Sequence, residues 1–163
     1  METEVSNTLN STSTQLKQLA KYLNSRGISS KLFQDKVEIY QETTSINRLD
    51  KIGSSSNRSY MKSTPEYPLL QWVYEVRMWD ADPDVPVLFF TVYIEDESVS
   101  RVAGLKDLLG IVTADVSVCE HPKSGLPIMY IHPCNTKKWM TETQASIWLW
   151  LVHFGRSANL FLD

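Results

Sequence analysis

Apolar residues recur along this chain with two different periods. Leu16, Leu19, Ala20 and Leu23 fall at helical spacing, which predicts a helix with Ser13 or Thr14 as its cap and Gly27 as its stop. Residues Lys36 to Gln41 (KVEIYQ) alternate and predict a first strand. From Leu70 the period of two is sustained: Leu70, Trp72, Tyr74, Val76 and Met78 share one face, and Gln71, Glu75 and Arg77 the other. Asp80 to Pro86 (DADPDVP) reads as a bend, because proline supplies no N–H to a sheet ladder. Val87 to Ile94 (VLFFTVYI), nearly all apolar or β-branched, reads as the central strand and hairpin partner.

The second half follows the same grammar. Ser98 to Gly110 holds a short helical candidate, GLKDLL. Ile111 to Glu120 and Ile128 to Ile131 read as a strand pair around a turn, His121 to Pro127, with one glycine and two prolines. A closing helix is predicted from the capping-box spacing of Thr141 and Gln144, the apolar stripe Ile147, Trp148, Leu151 and Phe154, and Gly155 as C-cap. Residues 1–14 read as a loose polar tail and 43–66 as a long mobile loop. Helix, antiparallel strands, helix is an α+β order: a sheet of about four to six strands packed against N-terminal and C-terminal helices, in one domain over 1–163.

Composition narrows the function. A chain of 163 residues buries enough surface for one core without metal or disulfide support. Its 16 basic and 19 acidic side chains leave a net charge of −3, against the basic stripe of a nucleic-acid binder. Two cysteines make no disulfide framework, and the start METEVSNTLN lacks the basic-then-apolar pattern of a signal peptide. The longest apolar run, Ile147 to Val152, has six residues where a bilayer span needs about 20. The expectation is a reducing compartment, the cytosol, with both thiols free.

Cys134 carries the strongest candidate chemistry. It follows a strand in the run His132-Pro133-Cys134-Asn135-Thr136, which reads as an exposed loop where a thiol can meet a large partner. From the residues alone it is equally a nucleophile or an incidental surface thiol. His132, two residues away, shares a face with it on an extended backbone, and either assists the thiol or only caps and packs. Cys119 lies inside an alternating strand and reads as core. His121 and His153 read as structural or solvated, and the acidic run Glu95-Asp96-Glu97 as a solvated strand end. Cys119, His121, His132 and Cys134 lack metal-ligand spacing, so no metal is expected. With no phosphate loop, GxGxxG, GxSxG or HExxH, an ATP-driven step within the chain is not expected.

The stretch from Glu120 to Thr136 (EHPKSGLPIMYIHPCNT), with Met140 after it, resembles the active-site region of the autophagy-related protein ten family. These are conjugating enzymes that are E2-like in fold. Tyr74-Glu75-Val76 and Val85 to Phe90 are similar to the family's hairpin core, and the likeness covers roughly residues 70–155. The His-Pro-Cys tripeptide is shared with the sister family of autophagy-related protein three, whose members are longer and carry an acidic insertion before the active site.

The resemblance implies that Cys134 accepts a ubiquitin-like modifier, autophagy-related protein twelve, as a glycyl thioester from an E1-like enzyme, autophagy-related protein seven. The modifier then passes to a lysine of an acceptor, autophagy-related protein five. It implies no cofactor and no direct membrane span, with recruitment to the pre-autophagosomal site through partners. Two departures matter. Ubiquitin-conjugating enzymes proper carry His-Pro-Asn upstream of the cysteine, and here the candidate is His121-Pro122-Lys123. With that Asn replaced, His132 and Asn135 become the supporting candidates at the oxyanion. A tyrosine that some members carry before the Val-Pro of the hairpin is Pro83 here. Trp72, Trp79 and Tyr93 are candidate surface anchors for partners, and the sheet edges candidates for strand addition. The competing readings are an idle adaptor of the same fold, a conjugating enzyme for the lipidated modifier of the sister family, and a cysteine hydrolase.

Overall fold

The computed structural model describes residues 12–44, 68–96 and 99–162. Most of the expected tail (1–11) and most of the expected loop (45–66) lie outside them, as do Glu97 and Ser98. The described part of the tail belongs to the fold: Thr12 is buried, and Ser13 caps helix α1 (Thr14–Ser25) by accepting from the Gln15 N–H. All four apolar residues that predicted α1 are buried. Gly27, with φ of 68°, ends it in the left-handed conformation that a side chain disfavours.

Seven antiparallel strands follow, in the spatial order β1-β2-β3-β4-β7-β6, with β5 pairing β4 off this path. They are β1 (Ser30–Leu32), β2 (Val37–Thr44), β3 (Leu69–Trp79), β4 (Asp82–Asp96), β5 (Val99–Val102), β6 (Val116–Glu120) and β7 (Pro127–Ile131). The α+β class and the helices at both ends agree with the sequence reading, and β1 and β5 are additional to it. Thr43 and Thr44, expected in the loop, extend β2. The expected bend at Asp80–Pro86 is a tight turn at residues 80–81, because a bulge after Met78 takes Pro83 into the start of β4. Pro86 is tolerated because β7 joins that flank of β4 only from Leu88. Within Ser98–Gly110 the chain forms β5 and a 3₁₀ turn, Leu105–Leu108, and the strand expected from Ile111 begins at Val116.

The inner face of the sheet carries Leu70, Trp72, Tyr74 and Val76 from β3 and Leu88, Phe90, Val92 and Ile94 from β4, and these share one core with α1 and the C-terminal helix. Trp72 is 1% exposed, with its indole N–H given to Thr43 Oγ1 at 2.7 Å. It is therefore core rather than a surface anchor, whereas Tyr93 is exposed. Each such large side chain contributes about 1.5–3 kcal/mol as an upper estimate.

Two helices close the chain: α2 (Cys134–Thr143) and α3 (Ile147–Gly155). The expected capping box is not formed. Gln144 ends α2 in the left-handed conformation, and Ser146 caps α3 by accepting from the Leu149 N–H. The Thr141 and Thr143 hydroxyls bond back to the Lys137 and Trp139 carbonyls inside α2. Gly155 is right-handed rather than a C-cap. A Cβ there would sit 3.2 Å from the Leu160 carbonyl, so glycine admits the returning chain. Among the described residues no helix is long and apolar enough to cross a membrane.

Candidate active site

Alternation along β7 sends Met129 and Ile131 into the core and Tyr130 to the opposite face. The strand stops at His132, and Pro133, with φ of −78° and no N–H to give, sets the first turn of α2. Cys134 is thus the first residue of a helix rather than part of a loop, and it is exposed. The buried Thr136 and the partly buried Trp139 and Met140 hold α2 to the body, leaving the thiol on the open side. Lys137 bridges to Asp82 at 2.7 Å and ties α2 to the β3–β4 turn. That ammonium, with the Asp84 N–H, holds the Asp82 carboxyl below the usual range.

His132 lies against the thiol as its position two residues away suggested. Its Nδ1 accepts the Cys134 backbone N–H at 3.0 Å, and its Nε2 is 3.7 Å from Sγ. Backbone donation to Nδ1 assigns the neutral tautomer with its proton on Nε2, facing the sulfur. Asn135 follows in the first helical turn, exposed, where backbone N–H groups have no acceptor four residues back. The arrangement offers an exposed thiol reachable by a protein-sized substrate, an imidazole N–H beside it, and the Asn135 amide, the Cys134 and Thr136 N–H groups being given to His132 Nδ1 and the Pro133 carbonyl.

The upstream His-Pro-Lys turn does something else. His121 gives Nε2–H to Glu75 at 2.8 Å, and its Nδ1 accepts the backbone N–H groups of Lys123 and Ser124 at 3.0 and 3.2 Å. It is a structural histidine that fixes the turn before β7. Lys123 lies exposed with Nζ 3.9 Å from Asp35, where an Asn donor would otherwise be sought. Glu75 anchors a buried polar cluster that the sequence did not flag: Lys36 is 2.7 Å away, and Arg77 at 3.4 Å also holds Asp35 at 2.9 Å. Burial pushes the Glu75 carboxyl up, but hydrogen bonds from Lys36 and His121 and the Arg77 charge outweigh it and hold it below its ordinary value.

Cys119 is only half buried. It packs against a small cluster of Val87, Phe89 and Ile128 on the outer face of the sheet, not in the main core. Burial and the nearby Glu120 push its thiol up, which disfavours the reactive thiolate. A cavity of about 650 Å³ runs past this cluster from Trp79 and Cys119 to Tyr130 and Pro133. His153 stacks on Trp139 at 4.5 Å, away from any ligand-like grouping. Among the described residues no cluster of His, Cys, Asp or Glu is arranged to hold a metal ion.

A family model described as "Autophagocytosis associated protein, active-site domain" matches residues 6–157. No curated protein and no solved structure matches the chain. The match spans the sheet, the His-Pro-Cys turn and both closing helices, and an α+β sheet flanked by helices is the E2-like core it calls for. The chain therefore belongs to the autophagocytosis-associated active-site family, the E2-like conjugating enzymes of autophagy.

Proposed function

We propose that the chain carries a ubiquitin-like modifier as a glycyl thioester on Cys134 and passes it to an acceptor lysine, with the modifier of the autophagy-related protein twelve kind, an activating enzyme of the protein seven kind and an acceptor of the protein five kind. The observation that carries this reading is the exposed Cys134 thiol at the start of α2 with the imidazole of His132 beside it. In the first step Sγ attacks the carbonyl carbon of the modifier's thioester on the activating enzyme. A new C–S bond forms, and the activating enzyme's thiolate leaves. In the second the neutral lysine amine attacks the same carbon, the oxyanion collapses and the C–S bond breaks, and the proton shed by the amine nitrogen passes to the departing Cys134 sulfur as the isopeptide forms. The reaction is driven by the thioester, so the chain itself handles no nucleotide.

His132 Nε2–H is placed to donate to the departing sulfur, and the side chain and backbone N–H of Asn135 are the candidate donors to the oxyanion. One preorganised donor is typically worth about 2.7–4 kcal/mol of barrier. Lys123, drawn toward Asp35, leaves that task to them. The absence of a long acidic run ahead of Cys134 in the sequence supports the protein ten kind over the sister family with its acidic insertion. The site of action in this reading is the cytoplasm, with recruitment to membranes through partners.

The test mixes the chain with the activating enzyme, ATP and the modifier and compares gels with and without reductant. A reductant-sensitive adduct lost in Cys134→Ala and kept in Cys119→Ala is the expected result, with an alkali-labile oxyester in Cys134→Ser. No adduct from a demonstrably charged activating enzyme makes the chain an adaptor of this fold. Charging by the lipidated modifier instead assigns it to the sister reaction.

A further inference from the structure

We propose that Tyr130 is a positioning residue that holds the His132 imidazole against Cys134. The inference rests on the reading of Cys134 as the thioester nucleophile and adds a residue that neither the motif nor the family match assigns.

Residues two apart on a strand share a face, so Tyr130 at the end of β7 stands beside His132 just beyond it. The two rings meet at 5.7 Å with a 56° tilt. Tyr130 is itself fixed from behind. It sits directly opposite Phe89 in the β4–β7 register, and the rings stack at 6.1 Å and 16°. Phe89 in turn lies 5.9 Å from the ring of His121, which Glu75 and two backbone amides immobilise. An aromatic row therefore runs from a buried charge cluster to the active-site imidazole.

Among the described residues His132 has no such support of its own. It is exposed, past the end of the strand, and its other recorded contacts are both to Cys134, one through the backbone N–H and one through Sγ. A single hydrogen bond to Nδ1 leaves the ring free to swing about that bond, and a swing carries Nε2 away from the sulfur. The Tyr130 ring blocks that swing. Only the ring is required: among the described residues no hydrogen bond from the Tyr130 hydroxyl holds it in place. Among the described residues the ring contacts of Tyr130 are to Phe89 and His132, so its effect on Cys134 passes through His132.

The experiment measures the rate of Cys134 alkylation by iodoacetamide from pH 6 to 9.5 in the full chain, in a Cys119→Ala background. The variants are His132→Ala, Tyr130→Ile, Tyr130→Phe and the double variant Tyr130→Ile/His132→Ala. Isoleucine is chosen because a strand accepts it. The expected result is that His132→Ala changes the shape of the profile and Tyr130→Ile moves it the same way, by about 3- to 10-fold in rate at the pH of greatest difference. Tyr130→Phe restores the original profile, and the double variant matches His132→Ala alone.

Additive effects in the double variant, or a Tyr130→Ile profile superimposable on the parent's, overturn the proposal. So does a profile that His132→Ala leaves unchanged, since nothing is then left to position. If Tyr130→Ile fails to fold, the parent protein decides: cross-relaxation between the His132 and Tyr130 ring protons is expected, and its absence refutes the contact. A thioester that survives Cys134→Ala, with the alkylation profiles behaving as described, refutes the nucleophile and leaves the contact standing.

Discussion

Replacing Glu75 by alanine removes the carboxylate that Lys36, Arg77 and His121 share. Glu75 and Arg77 are 8% and 7% exposed, so water screens the loss poorly. Breaking a buried ion pair from one side typically costs about 3–5 kcal/mol. Two contacts put this case at the lower end: Arg77 keeps Asp35 at 2.9 Å, and Lys36 keeps Glu38 at 2.7 Å. The expected loss is about 3 kcal/mol, or a fall in Tm of about 6–12 °C for a chain of this size. Glu75→Gln keeps one acceptor oxygen, which can serve the His121 N–H or the Lys36 and Arg77 side but not both, and turns an amide N–H toward the other, so about 1–3 kcal/mol is expected.

The pH dependence gives a second handle on the same residue. A carboxyl held below its ordinary value contributes stability that is fully present above that value, near ~4.3, and is lost as pH falls through the folded value. The gap between the parent and Glu75→Gln should therefore be complete at pH 7 and shrink steadily below about pH 4. Urea denaturation at pH 7 and in that acid range, with the m-value fitted separately, measures both numbers. A Glu75→Ala loss under about 1 kcal/mol at unchanged m, or a Gln gap that does not narrow in acid, refutes the account of the cluster.

Two further outcomes follow from single contacts. Tyr74→Phe removes a buried hydroxyl that donates to the Ala158 carbonyl at 2.8 Å and accepts from Gln41 at 2.7 Å, so urea unfolding should show a loss of about 1–2 kcal/mol. Brief iodoacetamide treatment at pH 7 followed by peptide mass analysis should label Cys134 at least about tenfold faster than Cys119, whose thiol burial pushes up.

The parts of the fold that were legible in the sequence are those whose own pattern fixes them. The helical spacing of Leu16, Leu19, Ala20 and Leu23 and the alternation from Leu70 to Val76 each specify an element and the face it buries. β1 and β5 were not legible because three and four mostly exposed residues hold no period; they form against the register of β2 and β4. α2 was hidden because Thr136 is its only fully buried residue and the His-Pro run ahead of it reads as loop. Its threonines, bonded inward to carbonyls, also imitated a cap. At the site, the closeness of His132 to Cys134 was readable from the tripeptide. The Glu75–His121 contact was not: strand alternation marks Glu75 and Arg77 as outward-facing, and it takes Asp35 and Lys36 ahead of β2 together with the turn before β7 to enclose them.

β7 meets β4 at just three residue pairs, Leu88–Ile131, Phe89–Tyr130 and Phe90–Met129, whereas β3 and β4 are zipped along nearly their whole length. The hairpin that delivers Cys134 is thus stitched to the main sheet by a short seam. Such a segment opens with less free energy than the whole molecule needs to unfold. Its amides should exchange with solvent through partial opening while those of β3 still wait for global unfolding. On warming, the placement of His132 against Cys134 then disappears while most of the sheet is still intact, so loss of that site is an early reporter of heat damage and loss of β-structure a late one.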